Sequence, residues 1–99
     1  MMEGQMIKSY RDRDTARLAA GEGVRRWERF RQQAEKRLRI LDAATSLRDL
    51  AALNSNRLEA RKRDRKGQHS IRISDQWRIC FKWPKEDPGP SNVEIVDYH

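Results

Sequence analysis

The chain carries two histidines, His69 and His99, and a single cysteine, Cys80, among 99 residues. Imidazole is the side chain suited to exchanging protons near neutral pH, which makes His99 a candidate acid or base. A dense supply of cations accompanies it. The run Arg57-Leu-Glu-Ala-Arg-Lys-Arg-Asp-Arg-Lys66 holds six cations and two anions in ten residues, and the segment after it adds Arg72, Arg78 and Lys82. Arginine suits phosphate because its planar fork donates two hydrogen bonds at once. Proton-transfer groups beside such cations fit phosphodiester cleavage without a metal. That reaction needs a base for the 2'-hydroxyl proton, cations for the scissile phosphate and an acid for the leaving oxygen. Blander readings stand beside this one: a terminal histidine usually frays, and most charge runs are solvated loops. No His/Asp/Glu spacing suggests a metal centre, and there is no Gly-rich phosphate loop. Cys80 is by default an inert thiol.

These groups need a fold to position them, and the length allows one domain with one modest core. The 22 Lys and Arg against 15 Asp and Glu give a net charge of +7. Residues 57–85 hold ten Lys/Arg and three Asp/Glu, so the whole excess lies in that segment. Clustered positive charge favours a polyanionic partner such as nucleic acid. A lone cysteine excludes a disulfide framework and a Cys-based zinc site, and fits a reducing cytoplasm. No apolar stretch is long enough for a membrane span or a secretory signal. Met1 to Gln5 precede a second plausible start at Met6 and are read as an upstream start or added extension, leaving 6–99 as the domain.

Within that domain, Ile7 to Tyr10 alternates and predicts a short first strand. Asp14 or Thr15 is expected to cap a helix through about Ala20, broken by Gly21 and Gly23. Val24, Trp27, Phe30, Ala34, Leu38 and Leu41 recur at intervals of three and four and predict one long amphipathic helix over 24–44. Its outer positions are charged, with Glu35 four residues before Arg39, a favourable order for an ion pair. Ser46-Leu-Arg-Asp49 resembles a capping box opening a short helix to about Leu53, and Asn54-Ser55-Asn56 is turn chemistry.

From there the period changes to two. His69, Ile71 and Ile73 fall on one side of a strand, so His69 reads as a packing residue, opposite Ser70 and Arg72. Trp77, Ile79, Phe81 and Trp83 line one side of the next, with Arg78, Cys80 and Lys82 on the other. Pro84 to Pro90 is a loop, and Val93 to Tyr98 a last strand. The order implies an α+β domain with helices on one face of a mainly antiparallel sheet. The other face is expected to be open, a cationic groove for phosphate.

The sequence Arg57-Leu-Glu-Ala-Arg-Lys-Arg-Asp-Arg-Lys-Gly-Gln-His-Ser-Ile-Arg-Ile73, then Gln76-Trp-Arg-Ile-Cys-Phe81, then Val93-Glu-Ile-Val-Asp-Tyr-His99 resembles the HigB-like plasmid-maintenance killer proteins of the RelE/ParE toxin superfamily. Met6-Ile-Lys-Ser-Tyr10 is similar to their opening strand. The resemblance implies a RelE-like fold and a metal-independent, cofactor-free endoribonuclease that cuts mRNA in the ribosomal A site and inhibits translation. By motif position, Glu59 or His99 would handle protons and Lys62 and Arg78 would stabilise the phosphate, with Asp97 and Tyr98 completing the site. Arg57, Arg61, Arg63, Arg65, Lys66, Arg72 and Lys82 would bind RNA. Related toxins carry either His or Glu at the position of Glu59; with Glu59 as base, His99 becomes the acid. The chain departs from the pattern at Arg61, where leucine is usual, and at Arg63, where glycine is usual, which puts the shape of the Lys62 loop in doubt.

The resemblance also implies a HigA-type antitoxin with a helix-turn-helix domain, through which alone the toxin would meet operator DNA. No membrane partner is implied. Two rival functions remain: a ParE-type inhibitor of DNA gyrase without nuclease activity, and a basic RNA-binding protein.

Overall fold

The computed structural model describes residues 6–97, so Met1 to Gln5, Tyr98 and His99 lie outside it. Alternating apolar residues in the second half build the sheet. Three strands, β2 (Gln68–Arg72), β3 (Trp77–Lys82) and β4 (Ser91–Asp97), form an antiparallel meander. A two-residue strand, β1 (Glu59–Ala60), joins at the edge, and the order is β1-β2-β3-β4. Strands in register share faces, so Ile71, Ile79 and Ile95 stand side by side, all buried. Every described element agrees with an α+β domain carrying its helices on one sheet face.

Among the described residues, three α-helices cover that face: α1 (Arg13–Ala19), α2 (Arg31–Ala43) and α3 (Leu47–Ala52). The first starts earlier than its sequence suggests. Asp12, not Asp14 or Thr15, is the cap, its carboxylate accepting from the Thr15 amide at 2.9 Å and from the Thr15 hydroxyl at 2.7 Å. Thr15 Oγ1 in turn accepts from the Ile95 amide at 3.1 Å, tying α1 to β4. Gly21, at φ +92°, ends the helix by letting the Glu22 amide turn back to the Arg17 carbonyl at 2.9 Å.

The long helix expected over 24–44 is two pieces. Arg25–Phe30 is a 3-10 helix and only then does α2 begin. Apolar positions three apart, Val24, Trp27 and Phe30, suit the three-residue turn, whereas the steps of four to Ala34 and Leu38 suit the α-helix. All six predicted apolar positions, including Leu41, are buried. Glu35 pairs with Arg31 at 3.1 Å, one turn back, rather than with Arg39. Ser46 caps α3 through the Asp49 amide at 3.3 Å, but the Asp49 carboxylate reaches back to the amide and hydroxyl of Thr45, at 2.8 and 2.6 Å. Those bonds hold the exposed Asp49 carboxyl below the usual carboxylate range.

The expected first strand is reduced to a single parallel bridge between Tyr10 and Val93. Bonds from Lys8 N to Pro90 O (2.7 Å), Val93 N to Ser9 O (3.1 Å) and Arg11 N to Val93 O (2.9 Å) lay the segment along β4. Its start is diverted to α2 instead, where Asp42 Oδ1 accepts from the amides of Met6 and Ile7, each at 3.1 Å. Gly89 lets this segment pass, because a Cβ there would stand 1.7 Å from the Met6 carbonyl oxygen. No helix among the described residues is long and apolar enough to cross a membrane.

Candidate functional site

The face of the sheet turned away from the helices carries Glu59, Ser70, Arg72, Arg78, Cys80, Lys82 and Glu94, by register with one another. The expectation of an open cationic groove there is corrected. Arg78 is only 5% exposed and Cys80 is fully buried. Charge is the reason: Glu59 and Glu94 bring carboxylates onto this face, and the basic segment folds back to meet them.

Arg78 is the centre. Its Nε donates to Ser70 Oγ at 2.8 Å, and its Nη2 donates to the carbonyls of Ser70, at 3.2 Å, and Arg57. The Arg57 carbonyl is aimed inward because Arg57 sits in the left-handed region at φ 47°, while its side chain is exposed. Glu59 Oε1 lies 3.9 Å from Arg78 Nε and 3.7 Å from Arg61 Nη1, so one carboxylate oxygen sits between two guanidiniums. Glu59 keeps 42% of its side chain exposed, so solvent and ligands reach it.

A second pair fastens the basic segment. Arg65 donates to Glu94 Oε2 at 2.7 Å and to Gln68 Oε1 at 3.4 Å, and Arg11 stands 3.8 Å from the same Glu94 oxygen. The carboxylate raises the Arg65 guanidinium further above its ordinary value, chiefly through that hydrogen bond. Cys80 lies beneath; burial pushes its thiol up, against the opposing pull of Arg61, Arg65 and Arg78. An up-shifted thiol is a poor nucleophile.

Lys62 and Lys66 are exposed on this segment, and Lys82 is exposed at the end of β3. Arg72 is turned to the hairpin turn, bonded to Asp75. Arg63 belongs to the 3-10 turn Arg63–Arg65, and its side chain lies outside those described. Tyr98 and His99 lie beyond the described residues. Asp97 pairs with Trp77, which puts its side chain on the helix side, where Oδ2 accepts from Gln76 Nε2 at 3.2 Å. The structure therefore brings Glu59, Arg61 and Arg78 together and leaves Asp97 on the other face of β4. His69 stacks on Phe81 with ring centroids 6.3 Å apart, as a packing residue does, although its buried Nδ1 has no partner among the described residues.

Ser70 and Glu94 are the contributors that the sequence analysis did not single out. Period-two alternation would have found Glu94, since Val93 and Ile95 claim the core side. Nothing in the sequence marks Ser70 as the acceptor for an arginine two strand positions beyond a turn.

Over residues 5–99 the chain matches the family described as the RelE-like toxin of type II toxin-antitoxin system HigB. It is also similar to Toxin HigB-1 of Vibrio cholerae serotype O1, with 42% identity over 48 residues, 48% of this chain and 50% of that one. The match thus spans about half the length of that curated relative. The fold, the segments carrying the resemblance and the match along nearly the whole chain agree: this chain belongs to the HigB-like family of RelE-like toxins of type II toxin-antitoxin systems.

Proposed function

We propose that the chain is a ribosome-dependent mRNA endoribonuclease acting in the cytoplasm, without metal or cofactor, and neutralised by a HigA-type helix-turn-helix antitoxin. The observation that carries this reading is the Glu59 carboxylate, solvent-accessible and set between Arg61 and the buried Arg78. In the proposed step Glu59 takes the proton of a 2'-hydroxyl, and that oxygen attacks the adjacent phosphorus. The bond from phosphorus to the 5' oxygen breaks, and His99 returns a proton to the leaving oxygen. The products are a 2',3'-cyclic phosphate and a 5'-hydroxyl. Arg78 and Lys62 offset the charge that grows on the phosphate, a role for which donors fixed in advance are worth most. Ser70 and the Arg57 carbonyl fix Arg78 for it. Tyr98 completes the site, and Asp97 serves as a positioning residue by fixing the strand end that leads to Tyr98 and His99.

The experiment is induction in cells with mapping of mRNA 5' ends, with and without translation. The chain should arrest growth and create new 5' ends only while translation runs. Glu59→Gln and His99→Ala should each lower cleavage by about 10²–10⁴-fold, the usual worth of a positioned acid or base. Arg78→Lys keeps the charge but loses the fork, and should be inactive with an unchanged circular dichroism spectrum. Full toxicity in all three variants would sink this site. Inhibition of gyrase supercoiling with intact mRNA would instead favour the ParE-type activity, and growth unaffected by induction the plain RNA-binding role.

A further inference from the structure

A second cationic surface lies away from the Glu59–Arg78 pair, where the helical layer meets the β2–β3 turn. Two hollows of about 380 and 470 Å³ share Ser74 as a wall. Arg26 and Arg29 of the 3-10 helix line the first together with Phe30 and Trp77, whose rings pack at 5.1 Å between centroids. Lys36, Arg37 and Arg72 line the second. Asp75 is the one acid lining either hollow, and it is 97% exposed and bonded to Arg72. Two acids outside the lining also reach it: Asp14 pairs with Arg26 at 3.3 Å and Asp97 accepts from Gln76 at 3.2 Å.

Five cations face few carboxylates here; Arg26 lies over the Trp27 ring and Arg37 donates to Ser55 and to the buried Asn56 as part of the fold, whereas Arg29 and Lys36 are exposed to solvent. The Arg37 guanidinium is held below its ordinary value, first by burial and then by the charge of Arg72. Like charges kept this close are relieved by an anion between them. Lys36 and Arg37 stand three and four residues after Gln33 along α2, one ridge continued by Arg29 from the 3-10 helix. Arg72 joins this ridge to the candidate site, because in register it faces Arg78 across the β2–β3 pair.

We propose that this groove binds the sugar-phosphate backbone of RNA, with Arg29, Lys36, Arg37 and Arg72 as the phosphate contacts and the Phe30–Trp77 edge as an apolar platform for a base. The choice of RNA rests on the nuclease reading above. The RNA has two possible sources, the strand flanking the scissile bond and the RNA of the ribosome.

The test uses the full chain and a non-cleavable 2'-deoxy-substituted oligonucleotide, with purified ribosomes in a second arm. Arg29→Glu combined with Lys36→Glu changes two exposed residues. The control, Arg48→Glu with Lys85→Glu, makes the same charge change elsewhere. The groove variant should weaken oligonucleotide binding at least tenfold and flatten the salt dependence by about 1.4 log units per log unit, two single-strand phosphate contacts' worth. The control should stay within twofold. Loss of oligonucleotide binding assigns the groove to the substrate strand; loss of ribosome cosedimentation alone assigns it to ribosomal RNA. Equal weakening by both variants, or none by either, overturns the proposal, and antitoxin binding lost with both RNA measurements unchanged would give the groove to an acidic protein instead. Because no arm requires cleavage, a failed groove would leave toxicity intact, whereas a failed nuclease reading would leave these binding constants intact.

Discussion

The two faces of the sheet are equally dry at their centres, yet different forces hold them. On the helix side Ile71, Ile79, Phe81 and Ile95 join Trp27, Leu38 and Leu41 in one apolar cluster. On the other, Arg78 and Cys80 are as well shielded, but Arg78 is held there by hydrogen bonds to Ser70 and the Arg57 carbonyl and by an ion pair with Glu59. An apolar contact depends on volume and forgives the identity of its neighbour. A buried charge depends on each partner, since removing one leaves the other unpaired. Stability should therefore be concentrated on one face and chemistry on the other.

Substitutions can break that division. Trp27→Ala removes a fully buried ring and should cost about 3–5 kcal/mol in chemical denaturation; a loss below about 1 kcal/mol would mean that the helix side is not the source of stability. Next comes the Arg65–Glu94 pair, partly exposed and so worth less. Arg65→Ala and Glu94→Gln should each cost about 1–2 kcal/mol, with a double-mutant coupling of about 0.5–1.5 kcal/mol. Their larger signature should be slower cleavage, because the pair holds the segment carrying Lys62; cleavage unchanged in both would detach that segment from function.

The smallest effect concerns Cys80. Its thiol is pushed up in the folded chain, so the native state keeps the proton longer than the unfolded one. That contribution is complete below the ordinary value of the unfolded thiol and is lost as pH rises through the folded value. Alkylation at pH 7.5 should proceed only as fast as unfolding, and rapid labelling of the folded protein would show the polar face to be open after all.

The apolar face was legible in the sequence because periodicity reports burial directly, and Val24 to Leu41 met the core at each predicted position. The break at Phe30 was written in the change from three- to four-residue steps, a signal too short to separate from one long helix. The two-residue β1 hid inside a charge run, since its pairing with Ser70 and His69 depends on a partner strand rather than on its own residues. Of the candidate site only residue types were legible, Glu59 and Arg78 being named for it and Arg61, which lies beside them, only as an RNA contact. Its geometry was not, because alternation along one strand says which residues share a face but is silent about the carboxylates that neighbouring strands supply. Asp97 shows the same limit, since one step of register decides which face it serves.

The crossing at Gly89 has a consequence in time. Ser9 is bonded to Asn92 across 83 positions, and Thr15 to Ile95 across 80. The earliest residues of the domain to leave the ribosome during synthesis are thus completed by nearly the latest, and loop closure of this span delays folding. A chain emerging from the exit tunnel cannot finish its sheet until β4 is out. The nascent chain accordingly passes through an unfinished interval on the machine that the finished protein is proposed to attack.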